Sequence, residues 1–244
     1  MRWNNRRSLV VAVLGLLATA CGTSTASTRQ PTPTPKATAV AVQTATATPT
    51  PAADTDSVEV LQSGVGMWGV IVFPVAIIQN QAKYHTAVGV SVTFTTETAS
   101  GSTNPPLSSV DVNLAPGQTM ALAADCTRGC PGTVSTTATV QVESYAVQTD
   151  FAIAPVPGSL ATDVGGTLGV GDVTGTLSDP GLTTGAPMAT SAACFDSQQD
   201  IIGGGTTIAT WSGAGADANI DVAVIYPRIP VSCELYAAPL TDFP

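Results

Sequence analysis

From Ser57 onward, apolar and polar residues alternate in short runs bounded by Gly, Pro, Asn or Asp. Successive side chains of a strand point to opposite faces, so this alternation is typical of half-buried antiparallel strands. No window shows a sustained helical period. The pattern therefore predicts an all-β fold, with strands at 58–61, 88–95, 110–114, 119–124, 138–145, 172–177, 188–195, 206–211, 219–226 and 231–236.

One proline falls inside an apolar run of this pattern. Pro74 interrupts the run from Val70 to Ile78. Because proline cannot donate to a ladder of hydrogen bonds, it is confined to edge strands, strand ends and bulges. We therefore expect an edge or a bulge at Pro74.

The two halves of the pattern share short motifs in the same order. Gly-Val occurs at 69–70 and 169–170, and Val-x-x-Glu-x-Tyr-Ala occurs at 140–146 and 231–237. Repetition of this kind predicts two tandem Ig-like antiparallel β-sandwich units of about ninety residues each. We place them at 56–154 and 159–244, joined near 155–158. Chance similarity between two low-complexity β sequences is the alternative.

The composition agrees with strands and with a folded core. Charged residues make up 10% and aromatic residues 5% of the 244 residues, whereas hydrophobic residues make up 44%. Strong helix formers are scarce and β-branched residues and turn formers are abundant, which favours sheets. The apolar content is too high for a chain that is disordered throughout.

The N-terminus has the features of an export signal. A basic stretch with Arg2, Arg6 and Arg7 precedes an apolar run at 9–18, which is too short to be a permanent membrane helix. It ends in Leu-Ala-Thr-Ala-Cys-Gly at 17–22, which resembles the lipobox of bacterial lipoproteins, with Ala18 where that family usually has Leu. The resemblance implies a signal peptide at 1–20 and diacylglycerol on the Cys21 thiol. An ordinary secretory signal with the cleavage site Ala18-x-Ala20 is the alternative.

A low-complexity segment follows the lipobox. Residues 23–55 consist mainly of Thr, Ala and Pro, with Pro-Thr-Pro-Thr-Pro at 31–35 and Thr-Pro-Thr-Pro at 48–51. Such a chain has little to bury, and its regular prolines favour the extended polyproline II conformation. We therefore expect 21–55 to be a disordered tether that carries the lipid and spaces 56–244 from the membrane, on the extracytoplasmic side.

Each predicted β unit resembles the FxLYD family of Ig-like modules. The first unit has Ile-Ile-Gln-Asn at 77–80 and Leu-Ala-Pro-Gly-Gln-Thr at 114–119, and the second has Phe-Asp-Ser-Gln-Gln-Asp-Ile-Ile-Gly at 195–203. Neither unit has the full signature, since the first has Phe-Thr-Thr-Glu at 94–97 instead. The resemblance covers most of 57–244 and implies an extracytoplasmic structural or adhesive module without known catalytic residues.

The charge distribution argues against two classes of partner. From Asp56 onward the chain has sixteen acidic residues and only three basic ones, Lys83, Arg128 and Arg228. The formal net charge of this part is therefore about −13. Nucleic-acid binding needs a basic footprint, and binding to anionic lipid headgroups needs basic residues at the surface. We therefore expect no nucleic acid partner, and membrane contact only through the N-terminal lipid.

Four cysteines remain once Cys21 is set aside. An even number in an exported chain indicates disulfides. Pairing Cys126 with Cys130, and Cys194 with Cys233, keeps each bridge inside one predicted unit, although four cysteines allow three pairings. A zinc site made from all four thiolates is disfavoured, because the spacing lacks two close pairs and the compartment is oxidising.

Candidate catalytic residues are sparse. His85 is the only histidine, and we expect it in an exposed turn, so a Ser-His-Asp or Cys-His arrangement would have to use it. Trp68 and Trp211 are the only tryptophans beyond the leader, and we expect both in the core rather than in a sugar cleft. No Gly-x-Ser-x-Gly or Ser-x-x-Lys precedes a helical pattern. The sequence thus predicts a protein that is not an enzyme and has no cofactor.

A weak calcium candidate remains. Asp217, Asn219 and Asp221 have the alternating oxygen ligands that open an EF-hand loop, but Val222 stands where glycine is needed and Arg228 where glutamate closes the shell. An amphipathic strand with these three residues facing water explains the same spacing. The glycine-rich segment 163–172 is an even weaker candidate, because neither a lysine nor a helix follows it.

These observations predict a lipid-anchored cell-surface module that binds an extracytoplasmic protein or glycan, or organises the envelope, without catalysis. A solute-binding lipoprotein of a transport system is one alternative, although such proteins are normally larger and contain helices. The second and less favoured alternative is a hydrolase that uses paired carboxylates.

Overall fold

The alternating runs form strands throughout the described part of the chain. The computed structural model describes residues 55–126, 130–147, 153–162, 169–178, 185–211 and 217–241, so the leader, Cys21 and nearly all of the tether lie outside it. The strands are β1 (Val58–Trp68), β2 (Ile71–Asn80), β3 (His85–Thr98), β4 (Leu107–Ser108), β5 (Val112–Leu114), β6 (Thr119–Ala123), β7 (Thr133–Val147), β8 (Val156–Thr162), β9 (Val170–Leu177), β10 (Pro187–Phe195), β11 (Ile201–Thr210), β12 (Ala218–Ile225) and β13 (Ser232–Pro239).

The N-terminal half contains two antiparallel sheets. In the first, β2 lies between β1 and β6. In the second, β3 pairs with β7 along one side and with β4 and β5 along the other. Within the described ranges, β1, β6 and β7 are therefore edge strands, and each pairs on one side only.

The C-terminal half is a closed barrel with the strand order β10-β11-β12-β9-β8-β13. All of its pairings are antiparallel, and β10 and β13 close the ring. Alternate residues of β12 are buried, so that Ile220, Val222 and Val224 fill the interior with Trp211 and Leu235.

The two halves share one core. Residues 51–244 belong to a single compact unit. Phe94, Ile78 and Leu122 of the N-terminal sheets pack in the same cluster as Phe195 and Tyr236, which come from the barrel. The buried amide of Gln118 adds a polar link, because its Nε2 donates to the carbonyl of Ala237 at 3.0 Å.

The strand β1 lies against the barrel at backbone distance. A Cβ atom on Gly66 would overlap the carbonyl oxygen of Ile225 and would lie 3.0 Å from the Cα of Gly203. Only glycine permits such a close approach between two backbones. The Gly-x-Gly sequence at 64–66 therefore fixes β1 across the start of β11 and the end of β12.

The all-β expectation is confirmed, since every described element is a strand and the sheets are antiparallel. The C-terminal half differs from the expected open sandwich because its sheet closes into a barrel, which leaves no free sheet edge. No helix in the described ranges is long and apolar enough to cross a membrane.

The expectation about Pro74 is wrong. Pro74 lies in β2, the middle strand of its sheet, and the irregularity of the β1–β2 ladder falls at Val60–Gln62 instead. Pro74 lies opposite Ala124, just past β6, and its carbonyl accepts from the N–H of Ala124 at 3.1 Å. Proline cannot donate the return bond, but pairing resumes two residues away between Val72 and Cys126.

The segment expected as the junction, 155–158, contains the start of β8, where Pro157 pairs with β13 before the ladder to β9 begins at Ser159.

Both expected disulfides are present. Cys194 and Cys233 are register partners on β10 and β13, with their Cα atoms 4.1 Å apart, and both side chains are buried inside the barrel. Cys126 and Cys130 close a short loop, and both pack with Val72 in a separate small cluster.

We expect the barrel disulfide to contribute more stability than the loop disulfide. Cys194 and Cys233 are 39 residues apart and Cys126 and Cys130 only 4. Loop-closure entropy then predicts a loss of about 4 kcal/mol for Cys194→Ala with Cys233→Ala, and about 2 kcal/mol for the loop pair. Denaturant unfolding of the two double variants measures both, and a larger loss for the loop pair would contradict this.

Gly66→Ala tests the close approach of β1. The added methyl group meets backbone atoms that cannot rotate away, so we expect a loss of about 3 kcal/mol in the free energy of unfolding. Ser63→Ala on the same strand is the matched control, with an expected change within about 0.5 kcal/mol. Equal stability of the two variants would show that β1 does not lie against the barrel as described.

Candidate functional site

An open groove of about 350 Å³ lies where β1, β7 and one end of the barrel meet. We call it the β1–β7 groove. It is lined by Ser63, Gly64, Val65 and Met67 of β1, by Val134, Ser135 and Thr136 of β7, by Ile201 and Ile202 of β11, and by Pro227 and Arg228 after β12.

The floor of the groove is the free edge of β1. Ser63 to Met67 pair with β2 on one side, and no strand in the described ranges pairs with the other side. Val65 and Met67 pack against Val72 and the Cys126–Cys130 disulfide. The loop disulfide therefore supports the floor from below.

One wall is the start of β7. Thr133 is buried, and its hydroxyl donates to the carbonyl of Cys130 at 3.0 Å. The side chain of Asn104 bridges this strand to β3, because its Nδ2 donates to Thr133 Oγ1 and to Thr96 Oγ1, at 3.0 Å in each case. These contacts fix the position from which Val134 lines the groove with 54% of its surface exposed.

The opposite wall depends on Asp196, in the turn between β10 and β11. Its Oδ1 accepts from the backbone N–H groups of Gln198 at 2.9 Å and Asp200 at 3.1 Å, and its Oδ2 accepts from Arg228 Nη2. Gln199 takes a positive φ of 65° in this turn, and its carbonyl accepts from Gln62 Nε2 at 2.8 Å. Asp196 thus connects two barrel loops, and Gln62 connects the turn to β1.

Asp196 is held in its charged form. Desolvation by itself would raise the pKa of this carboxyl, but the two backbone N–H groups and the Arg228 guanidinium outweigh it, so the pKa lies below the usual value of 3.8. The Arg228 side chain remains 62% exposed. Its charge is therefore paired, while most of its surface stays at the rim of the groove.

The groove offers binding groups rather than a reactive set. Its lining combines apolar side chains, three hydroxyls, one paired guanidinium and the unpaired backbone edge of β1. Concave apolar surfaces with a few fixed polar groups are typical of ligand sites. An open groove along a strand edge suits an extended ligand.

His85 lies away from this groove. It is the first residue of β3 rather than a turn residue, and its Nδ1 lies 2.9 Å from Asp56 Oδ1. The expectation of a turn is therefore wrong, although the imidazole is 44% exposed. The pair joins the start of the described chain to the β2–β3 connection.

The two tryptophans have different surroundings. Trp211 is buried in the barrel as expected, and its indole N–H has no hydrogen-bond partner among the described residues. Trp68 is 41% exposed at the end of β1, where its ring lies over Gly169, so the core assignment of Trp68 is wrong. Trp68 stands in the β1–β2 hairpin beside Gly69, which takes a positive φ of 60°.

The calcium candidates lie at the barrel surface. Asp217, Asn219 and Asp221 are exposed at alternate positions of the chain entering β12, which is a strand rather than a loop. Asn219 Oδ1 accepts from Thr176 Oγ1 at 3.2 Å. Within the described ranges, no group of three or more His, Cys, Asp or Glu side chains is arranged to hold a metal ion. Most of the glycine-rich segment, 163–168, lies outside the described residues.

No protein-family model matches the chain, and no curated protein matches it in sequence. Function is therefore inferred from the residues of this chain alone.

The sequence predicted the two disulfides but missed the β1–β7 groove. The groove residues come from three separate parts of the chain and form no motif. The one sequence signal is the Gly-x-Gly at 64–66, which follows the predicted strand 58–61, since glycines in a strand indicate close backbone approach.

The lowered pKa of Asp196 predicts a specific effect of acid. Its contribution to stability is fully present above the unfolded pKa of about 3.9 and is lost as the pH falls through the lower folded pKa. Asp196→Asn removes the titrating group, so its free energy of unfolding should fall less steeply below about pH 4 than that of the unsubstituted protein. Denaturant titrations across the acid range measure both slopes, and parallel slopes would contradict the assignment.

Proposed function

We propose that this protein is an exported, lipid-anchored module of the cell surface that binds an extracytoplasmic partner through the β1–β7 groove and performs no catalysis. The lipobox-like sequence ending at Cys21 and the Thr/Pro-rich tether support the anchor. The groove supports the binding role.

One observation carries the binding proposal. Val65, Met67, Val134, Ile201 and Ile202 line one open groove next to a strand edge that has no partner in the described chain. Val134 is 54% exposed there, whereas Ile201 and Ile202 are buried. A concave apolar lining with a few fixed polar groups is typical of ligand sites. The contacts of Asp196 and Thr133 hold both walls in place before any partner arrives, which lowers the entropy lost on binding.

The groups lining the groove favour binding over chemistry. Its polar side chains are Ser63, Ser135, Thr136 and Arg228, with no carboxylate or imidazole to serve as a base for the hydroxyls. The Arg228 guanidinium is committed to Asp196. Such residues can orient a ligand but do not supply a nucleophile with its base.

The anchor is tested by Cys21→Ser. Two or more acyl chains hold a protein stably on a membrane, whereas an unacylated chain has only its leader to hold it. We expect labelled fatty acid to be incorporated into the unsubstituted protein and not into Cys21→Ser. Equal labelling of both proteins would show that the fatty acid is attached to another residue. Labelling of neither would show that the protein carries no fatty acid.

The groove is tested by Val134→Gln, with Val147→Gln as the matched control. Both valines are exposed on β7, by 54% and 82%, but only Val134 lines the groove. Burying half of a valine side chain contributes about 1 kcal/mol, so Val134→Gln should weaken binding about fivefold. The measurement is saturable capture of an envelope component by the full chain in detergent. Equal capture by both variants would exclude the groove as the binding site.

A further inference from the structure

The Cys126–Cys130 disulfide connects the two sheets that border the β1–β7 groove. Cys126 is attached to the first sheet, because its N–H donates to the carbonyl of Val72 on β2 at 2.9 Å and its carbonyl accepts from the Val72 N–H at 3.3 Å. Cys130 is attached to the second, because its carbonyl accepts from the hydroxyl of Thr133, the first residue of β7, at 3.0 Å. The bond therefore ties the sheet that forms the floor to the strand that forms one wall.

This bond also shortens the chain between the two sheets. With the disulfide closed, the Cα atoms of Cys126 and Cys130 are 6.0 Å apart. Four residues of open chain can span up to about 14 Å. Since β1 lies beside β7 along the groove, opening the bond allows the two strands to separate. It also loosens the cluster on which Val65 and Met67 of the floor pack.

We propose that the Cys126–Cys130 disulfide is a redox-sensitive clamp, which a dithiol reductant opens and whose open form binds the partner of the groove more weakly. The effect on binding rests on the proposed function, whereas the opening of the bond does not.

The reaction is a thiol–disulfide exchange. A thiolate of the reductant attacks one cysteine sulfur, which breaks the Cys126–Cys130 bond and forms a mixed disulfide, and the other cysteine leaves as a thiolate that takes up a proton. The second thiol of the reductant then attacks the mixed disulfide. The reductant is thereby oxidised to its own disulfide, both cysteines are reduced to thiols, and the two thiol protons of the reductant pass to them.

The position of this disulfide allows its reduction while the fold stays intact. Both side chains are buried, so a reductant needs a local opening to reach the sulfurs. Cys126 and Cys130 lie outside the strands, in the connection between β6 and β7. Segments held by few hydrogen bonds open locally at a lower free energy than the whole fold.

The barrel disulfide provides the internal comparison. Cys194 pairs with Gly203 on one side and with Cys233 on the other, and Cys233 pairs in turn with Gly158. Exposing these sulfurs requires breaking the ladder that closes the barrel. We therefore expect Cys194–Cys233 to be reduced only when the barrel unfolds.

The first arm of the test treats the full chain in detergent with dithiothreitol, without denaturant, and labels free thiols over time. Mass spectrometry of the peptides locates the label. We expect Cys126 and Cys130 to be labelled at least about tenfold faster than Cys194 and Cys233, because local opening needs less free energy than global unfolding. Equal rates for the two pairs would overturn the clamp.

The second arm measures the groove in the reduced protein after the dithiothreitol is removed. Amide exchange should become faster within Ser63–Met67 and at the start of β7, and it should stay unchanged in β8, β9 and β12. Capture of the envelope component should weaken about threefold to tenfold, because the walls are no longer held in place before binding.

A variant separates the clamp from other effects of the reductant. Cys126→Ser with Cys130→Ser should reproduce the weaker capture without dithiothreitol, and treatment with dithiothreitol should then change nothing further. A further loss on treatment would show that the reductant acts on another bond, and would overturn the clamp.

The remaining outcomes distinguish the clamp from the proposed function. Unchanged capture by the reduced protein, while Val134→Gln still weakens capture, would overturn the clamp and leave the proposed function in place. If capture depends on neither Val134 nor the disulfide, both fail.

Discussion

The contact between the backbones of β1 and the barrel at Gly66 and Gly203 is the constraint on which the rest of the arrangement depends. Because Gly66 has no Cβ to meet the Ile225 carbonyl oxygen or the Gly203 Cα, the first strand of the N-terminal sheet lies directly on the barrel. The two halves then share one core, in which Phe94 packs in the same cluster as Phe195 and Tyr236. The same contact places the outer edge of β1 along the floor of the β1–β7 groove.

Two small polar networks keep that groove open. Asp196 joins the β10–β11 turn to Arg228, and Thr133 joins the start of β7 to the loop closed by Cys126 and Cys130. The disulfide also lies beneath Val65 and Met67. Both walls and the floor are therefore fixed by contacts that require no ligand, as expected for a preformed binding site.

Local patterns predicted local structure well in this chain. The alternating runs lie in strands, and the preferred cysteine pairing is the one observed. Closure of the barrel was not predicted, because it depends on pairing β10 with β13, and alternation does not specify strand order. Trp68 was misplaced because its ring lies over Gly169, about a hundred residues away, rather than in the core, and a local pattern does not show such a contact. The groove was missed for the same reason, as three distant segments form it.

Amide hydrogen exchange tests the central claim most directly, namely that a partner binds in the β1–β7 groove. The full chain in detergent is compared with and without a saturating amount of the captured envelope component. The account predicts new protection of amides within Ser63–Met67, with little change in the barrel strands β8, β9 and β12. Protection confined to those barrel strands, with Ser63–Met67 exchanging as before, would contradict it.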